Sequence, residues 1–238
     1  MDNFEKPTGP STRLQPDGSL NLDTHTEHGG NKYREEDLAE TSFILPEYNA
    51  KQQFIISQMA SLIMNVANVF PYKTKEGKQE FMSPNVLDQF NYDPKKHVSN
   101  EDAALFGLLF GDLDHLGRDN HHGGVFFDFG ASDMLKSEEA YEKKERVVPG
   151  SGYTFTEELN HERTYNYVDY WKKKGLLDIE AMETKCNELT SHLSGEQGLQ
   201  FITALCKKAE YTELTPEKVQ ERFLSTIQKT LEKLADVK

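Results

Sequence analysis

The sequence predicts an α+β protein in which helices predominate. Apolar residues recur at helical spacing through most of the C-terminal half, where glycine and capping residues divide the pattern into segments. The one clear β-rich run is VFFDFG near the middle of the chain, and the turn pair Gly123-Gly124 leads into it. With 238 residues the chain is long enough to bury a core.

The N-terminal residues differ from the rest of the chain in composition. Residues 1–41 are polar and rich in turn formers, so we expect a disordered or loosely packed arm, with a small hairpin around Asp17-Gly18. Residues 42–238 are expected to form one mostly helical domain.

Capping residues and apolar spacing place the helices. The pattern predicts a helix over residues 50–70, a solvated loop from Pro71 and a short helix over residues 84–90. Ser99 is a good N-cap for a nearly all-apolar helix that ends at Gly111. The C-terminal half predicts four more helices, over residues 155–174, 176–193, 196–209 and 215–235.

Charge and cysteine usage exclude several classes of function. The 27 Lys and Arg residues are outnumbered by 40 Asp and Glu residues, and a net charge of −13 argues against nucleic-acid binding. The longest apolar stretch, residues 54–70, is too polar for a transmembrane segment, and the start MDNFEKPTGP lacks the pattern of a signal peptide. We therefore expect a cytoplasmic protein in which Cys186 and Cys206 are buried free thiols.

One segment concentrates the chemically useful side chains. The sequence LFGDLDHLGRDNHHGGVFFDFGASD, residues 109–133, holds five aspartates, one asparagine and three histidines. Because LFG and VFF flank these acids, we expect some of them to lie near the core, where a carboxylate needs a cation or hydrogen-bond donors. This favours a functional site over an ordinary solvated loop.

The order of motifs in this segment resembles the kinase superfamily, and in particular its atypical branches, the phosphoinositide-kinase-like and HipA-like enzymes. Those branches carry a G-D-x-D-R-H-x-x-N type loop followed by D-F-G; this chain has GDLDHLGRDN and then DFG. The resemblance implies ATP and Mg²⁺ as cofactors. It makes Asp114 catalytic, together with His115 in the motif's basic pair. It makes Asn120, Asp128 and Gly130 the cofactor-binding residues, with Asn120 and Asp128 as the metal ligands.

The resemblance also implies a kinase C-lobe-like core with a short β-hairpin. Only about 110 residues precede the motif, and they contain neither a GxGxxG loop nor a strand like V-A-I-K. The N-lobe is therefore expected to be minimal or missing, with Lys32 and Lys51 as the available phosphate-binding lysines. Asp119 is an alternative to Asn120, because it stands five positions after Asp114 as in protein kinases.

The resulting expectation is a phosphotransferase that binds a nucleotide and acts on a protein or lipid. Compact kinase-like chains of this type occur among bacterial effectors that act inside host cells. By analogy, the resemblance also implies such an effector. One alternative is a non-catalytic pseudokinase or scaffold. Another is a metal-dependent hydrolase that uses the Asp and His side chains of the same segment: Asp112, Asp114, His115, His121, His122 and Asp128.

Overall fold

The structure is a computed structural model, and helices predominate in it, as the sequence predicted. It describes residues 31–35, 40–45, 49–74, 77–84, 98–112, 121–122, 124–139, 145–148, 153–156 and 160–236. Its strands are β1 (Asn31–Glu35), β2 (Glu40–Ile44), β3 (Phe70–Lys73), β4 (Gln79–Pro84), β5 (His121–His122), β6 (Val125–Phe126), β7 (Glu145–Val148) and β8 (Tyr153–Thr156). Its helices are α1 (Ala50–Ala60), α2 (Asn100–Phe110), α3 (Asn160–Lys173), α4 (Ile179–Leu193), α5 (Gly195–Ala209) and α6 (Pro216–Asp236).

The first four strands form one antiparallel sheet in the order β1-β2-β4-β3. Helix α1 connects β2 to β3 and packs against β4. Strand β1 falls within the residues for which the sequence predicted a polar arm, whereas residues 1–30 lie outside the described part of the chain. The sheet is larger than the single short hairpin that the sequence predicted.

The helix predicted over residues 50–70 ends at Ala60. The residues after Ala60 form a loop, and several apolar side chains of this loop are buried against the rest of the core. The Ser57 hydroxyl accepts a hydrogen bond from the Val69 backbone N–H at 3.1 Å, and Val66 forms a bridge to Phe126. Apolar spacing continues past the helix end because these loop residues still face the core.

The loop predicted after residue 70 is a β-hairpin instead. Pro71 pairs with Phe81, and β3 is an edge strand of the sheet, where the missing N–H of proline leaves no hydrogen bond of the ladder unmade. Pro84, with which the predicted short helix begins, is the last residue of β4. The remainder of that predicted helix lies outside the described residues.

Helix α2 is the centre of the core. The Ser99 hydroxyl caps it by accepting the Asp102 backbone N–H at 3.0 Å, and every residue from 103 to 110 is buried. It packs against α1, α3, α4 and α6. It ends at Gly111, whose φ of 63° is in the left-handed region that glycine adopts without strain, as the sequence predicted.

All four predicted C-terminal helices are present as α3 to α6. Helix α3 begins later than predicted because residues 153–156 form β8, which pairs with β7. The buried apolar stripe of α6 includes Val219, Phe223 and Ile227, at the spacing that predicted a core-facing helix. Among the residues that the structure describes, none of the helices combines the length and apolar character that crossing a bilayer requires.

The two cysteines are free and buried, which confirms the sequence expectation. Burial raises the pKa of the Cys186 thiol to about 12, with a smaller contribution from Glu183. Burial likewise raises the pKa of Cys206 to about 11. Both thiols therefore stay protonated and shielded in the folded chain.

The folded chain is expected to resist alkylation of its cysteines. At about pH 8, where an exposed thiol is partly ionised, iodoacetamide should modify Cys186 and Cys206 only in the unfolded chain, as measured by intact mass with and without urea.

Because both pKa values are raised on folding, the thiols contribute stability below about pH 9 that is lost as the pH rises towards their folded-state values. Rapid modification of the native chain would show that these helices open readily.

Candidate functional site

The candidate site lies where α2 ends and where the β5–β6 hairpin leads into the D-F-G turn. Asp128 and Gly130 are in the described part of the chain. Asp114, His115 and Asn120 lie outside the described residues, in the segment 113–120 that joins the end of α2 to β5. The structure thus places the two ends of that segment and the D-F-G turn that follows it.

The β5–β6 hairpin is anchored on both sides. His121 pairs with Phe126 across it, and the ring of Phe126 stacks on Phe106 of α2 with centroids 4.9 Å apart. The loop after α1 holds the other side: the Phe126 N–H donates to the Asn65 carbonyl at 3.0 Å, and the Ala67 N–H donates to the Phe126 carbonyl at 2.8 Å. The strand that leads to Asp128 is therefore fixed to α2 and to the loop that follows α1.

Asp128 presents an exposed carboxylate on a constrained turn. Its φ is 58°, a conformation that residues other than glycine seldom adopt and that often marks a functional position. Its Oδ1 accepts the Gly130 backbone N–H at 3.3 Å. The intervening Phe129 is buried and stacks on Phe106 at 5.7 Å between centroids. Burial of this ring fixes the turn and leaves the carboxylate at the surface.

Two amide side chains from the start of α1 also reach this turn. A Cβ atom built on Gly130 would lie 3.1 Å from Asn49 Nδ2, 3.3 Å from Gln53 Nε2 and 3.3 Å from Asp128 Oδ1. Gln53 Nε2 donates to Asn49 Oδ1 at 3.0 Å, and Gln53 is 2% exposed. Glycine at position 130 thus leaves room for both amides and for the Asp128 carboxylate around the turn. Asn49 and Gln53 were not among the residues predicted from the sequence, because only the fold brings the start of α1 to this turn.

The segment after the turn docks on the C-terminal end of α2. The Asp133 backbone N–H donates to the Gly111 carbonyl at 3.1 Å, and the Ser132 hydroxyl donates to the Phe110 carbonyl. The Asp133 side chain covers Gly111 so closely that a Cβ there would lie 1.7 Å from Asp133 Oδ1. Asp112 and Asp133 are both fully buried, which confirms that acids of this segment lie against the core.

The described residues include no group of three or more His, Cys, Asp or Glu side chains placed to hold a metal ion. Of the side chains suggested for a hydrolase, Asp112 is buried and Asp128 is exposed. The side chains of Asp114, His115, His121 and His122 lie outside the described part of the chain. Asp128 is thus the carboxylate of this set that the structure places at the surface.

Comparison of the chain with protein-family models, with curated proteins and with solved structures gave no significant match. The likeness to atypical kinases therefore depends on the motifs in residues 111–130. The surroundings of Asp128 supply the physical evidence for a role of this segment.

Proposed function

We propose that the chain is an ATP- and magnesium-dependent phosphotransferase of the atypical kinase type, with a protein or lipid hydroxyl as acceptor. One observation carries the proposal. The exposed carboxylate of Asp128 stands on a turn with a φ of 58°, whose next residue, Phe129, is packed into the core. A fixed carboxylate at the end of a strand is what a D-F-G turn requires to hold magnesium.

The order of the elements supports the same interpretation. A β-sheet with an inserted helix, α1, comes first, and the buried helix α2 follows it. The acidic segment, a short hairpin, the D-F-G turn and the remaining helices come next along the chain. Strands that precede the motif and helices that follow it support the proposal, although the resemblance implied a minimal or missing N-lobe.

In the proposed reaction Asp114 accepts the proton of the acceptor hydroxyl while the acceptor oxygen bonds to the γ-phosphorus of ATP and ADP leaves. Asn120 and Asp128 would hold magnesium, which supplies charge neutralisation at the phosphates when bound. The donor set fits this ion, because magnesium prefers hard oxygen ligands and keeps part of its water shell at an exposed carboxylate. Gly130 keeps the Asp128 carboxylate in place, because its backbone N–H donates to Asp128 Oδ1 at 3.3 Å.

A second candidate is a pseudokinase that acts as a scaffold, and a specific observation favours it. Protein kinases place a lysine on the strand before the inserted helix and its glutamate partner on that helix. Here β2 reads ETSFI and α1 reads AKQQFIISQMA, without a lysine on the strand or an acid on the helix. Lys51 is the lysine of α1, and its Nζ donates to the Glu210 carbonyl at 2.8 Å. Lys32 on β1, opposite Phe43, remains the candidate for phosphate binding.

The proposal is tested by nucleotide binding with and without magnesium. ATP with Mg²⁺ at about 100 times its dissociation constant is expected to stabilise the wild type by about 2.7 kcal/mol, measured by thermal shift. Asp128→Asn should lose this magnesium-dependent part, because the variant removes the negatively charged carboxylate of the pair, while asparagine tolerates the same backbone conformation.

The matched control is Asp236→Asn, which changes an exposed aspartate at the end of α6. Asp236→Asn should respond to magnesium and ATP as the wild type does. An equal response in Asp128→Asn would contradict the proposal. ATP turnover by the wild type separates the enzyme from a pseudokinase that binds nucleotide without transferring phosphate.

A further inference from the structure

The backbone just after the D-F-G turn is held by side chains from distant parts of the chain. Residues 134–136 have three successive carbonyl groups that accept hydrogen bonds from the C-terminal helices. Arg222 Nη1 of α6 donates to the Met134 carbonyl at 3.0 Å and to the Lys136 carbonyl at 2.7 Å. The Tyr211 hydroxyl, from the turn between α5 and α6, donates to the Leu135 carbonyl at 2.8 Å.

Burying the Arg222 guanidinium and the Tyr211 hydroxyl costs free energy, which their hydrogen bonds to residues 134–136 offset. Arg222 is 5% exposed, and a buried guanidinium destabilises the fold unless it is paired. Its Nη2 lies 3.2 Å from Glu138 Oε1, which places one carboxylate against the positive charge. Burial raises the pKa of Tyr211 above its usual range, so its hydroxyl stays protonated and able to donate.

The same backbone is also tied to the candidate site. Through Asp133 it bonds to Gly111 at the end of α2, where the segment that contains Asp114 begins. Asp133 in turn follows the D-F-G turn, Asp128 to Gly130, by three residues. One stretch of chain therefore joins α6, the end of α2 and the D-F-G turn.

We propose that Arg222 and Tyr211 are positioning residues that hold residues 134–136 and thereby set the place of the Asp128 carboxylate. The C-terminal part of the chain would then position the site from a distance, through the backbone of residues 134–136. The inference has a structural half, that Arg222 and Tyr211 hold residues 134–136, which does not depend on what the protein does. Its functional half, that they thereby affect magnesium binding at Asp128, rests on the proposed function.

Hydrogen exchange in the full chain tests the structural half. Arg222→Met removes the donors while keeping a long side chain, and it should speed exchange at the Asp133 and Lys136 amides by about tenfold or more. Arg222→Lys should give a smaller increase, because a lysine keeps the charge but loses the fork of donors. Tyr211→Phe removes only the hydroxyl and decides the question if Arg222→Met does not fold.

The matched control is Gln220→Ala on the same helix. Gln220 Nε2 donates to two other carbonyls, of Leu193 at 2.7 Å and of Gly195 at 2.9 Å, far along the chain from the D-F-G turn. This variant should speed exchange near residues 194–198 and leave Asp133 and Lys136 unchanged. Equal exchange at Asp133 and Lys136 in the wild type, Arg222→Met and Tyr211→Phe would overturn the proposal.

Magnesium titration tests the functional half at a temperature where all variants are folded. In the presence of ATP, Arg222→Met should need about tenfold more Mg²⁺ than the wild type for half-maximal nucleotide binding, whereas Gln220→Ala should need the same amount. A merely structural role of Arg222 would leave that concentration unchanged and would overturn the link to Asp128. If the wild type shows no magnesium-dependent binding but exchange changes as expected, the proposed function fails and the structural half stands.

Discussion

Gly111→Ala is expected to destabilise the fold by about 3–5 kcal/mol, among the largest effects of a single substitution. A left-handed backbone costs a non-glycine residue about 1–2 kcal/mol. The new methyl group would also lie 1.7 Å from Asp133 Oδ1, so a fully buried carboxylate must move. Urea unfolding followed by circular dichroism measures the loss.

Gly175→Ala is the matched control for this prediction. Gly175 has nearly the same φ, 66° against 63°, but nothing lies within 4 Å of the position that its Cβ would occupy. Only the backbone strain applies there, about 1–2 kcal/mol. Equal losses in the two variants would mean that Asp133 does not cover Gly111 as the structure describes.

Asp114→Asn is expected to lower the turnover of ATP by about 10²–10⁴-fold, the usual contribution of a general base. Nucleotide binding should stay close to that of the wild type, because the proposed role of this carboxylate is proton transfer and not magnesium binding. Steady-state ADP release and thermal shift, measured on the same preparations, separate the two effects.

Asp119→Asn serves as the comparison within the same segment. If Asn120 is the metal ligand, Asp119→Asn should keep turnover within a few-fold of the wild type, about the effect of an ordinary surface change. If Asp119 holds the metal, this variant should lose magnesium-dependent binding as Asp128→Asn does. Full turnover by Asp114→Asn would contradict the assignment of the base.

The helical part of the fold could be predicted from local signals. Helices α4 to α6 carry their buried apolar residues on one face, and this spacing predicted all three helices. The sheet could not be predicted in the same way. Strands β1 and β2, NKYRE and ETSFI, lack a strong alternation, and pairing with each other and with β4 stabilises them. Pro71 suggested a loop because an edge position in a sheet cannot be read from local sequence.

In the candidate site, too, residues of a local motif could be predicted from the sequence, whereas residues brought there by the fold could not. Asp128 and Gly130 belong to a local motif, and both could be named from the sequence. Gln53 could not, because only the fold brings α1 to the D-F-G turn. Arg222 resembles any polar residue of an amphipathic helix until its carbonyl partners, Met134 and Lys136, are known.

The Asp128 carboxylate is proposed to bind a divalent ion together with a nucleotide. Mn²⁺, which substitutes for Mg²⁺ at oxygen ligands, can be counted by the electron paramagnetic resonance signal of the free ion. ATP itself binds Mn²⁺, so the reference is the free-ion signal of ATP and Mn²⁺ without protein. The wild type and Asp236→Asn are expected to lower that signal further, and Asp128→Asn is expected to lower it much less. Binding that is independent of ATP, or equal in Asp128→Asn, would contradict the claim.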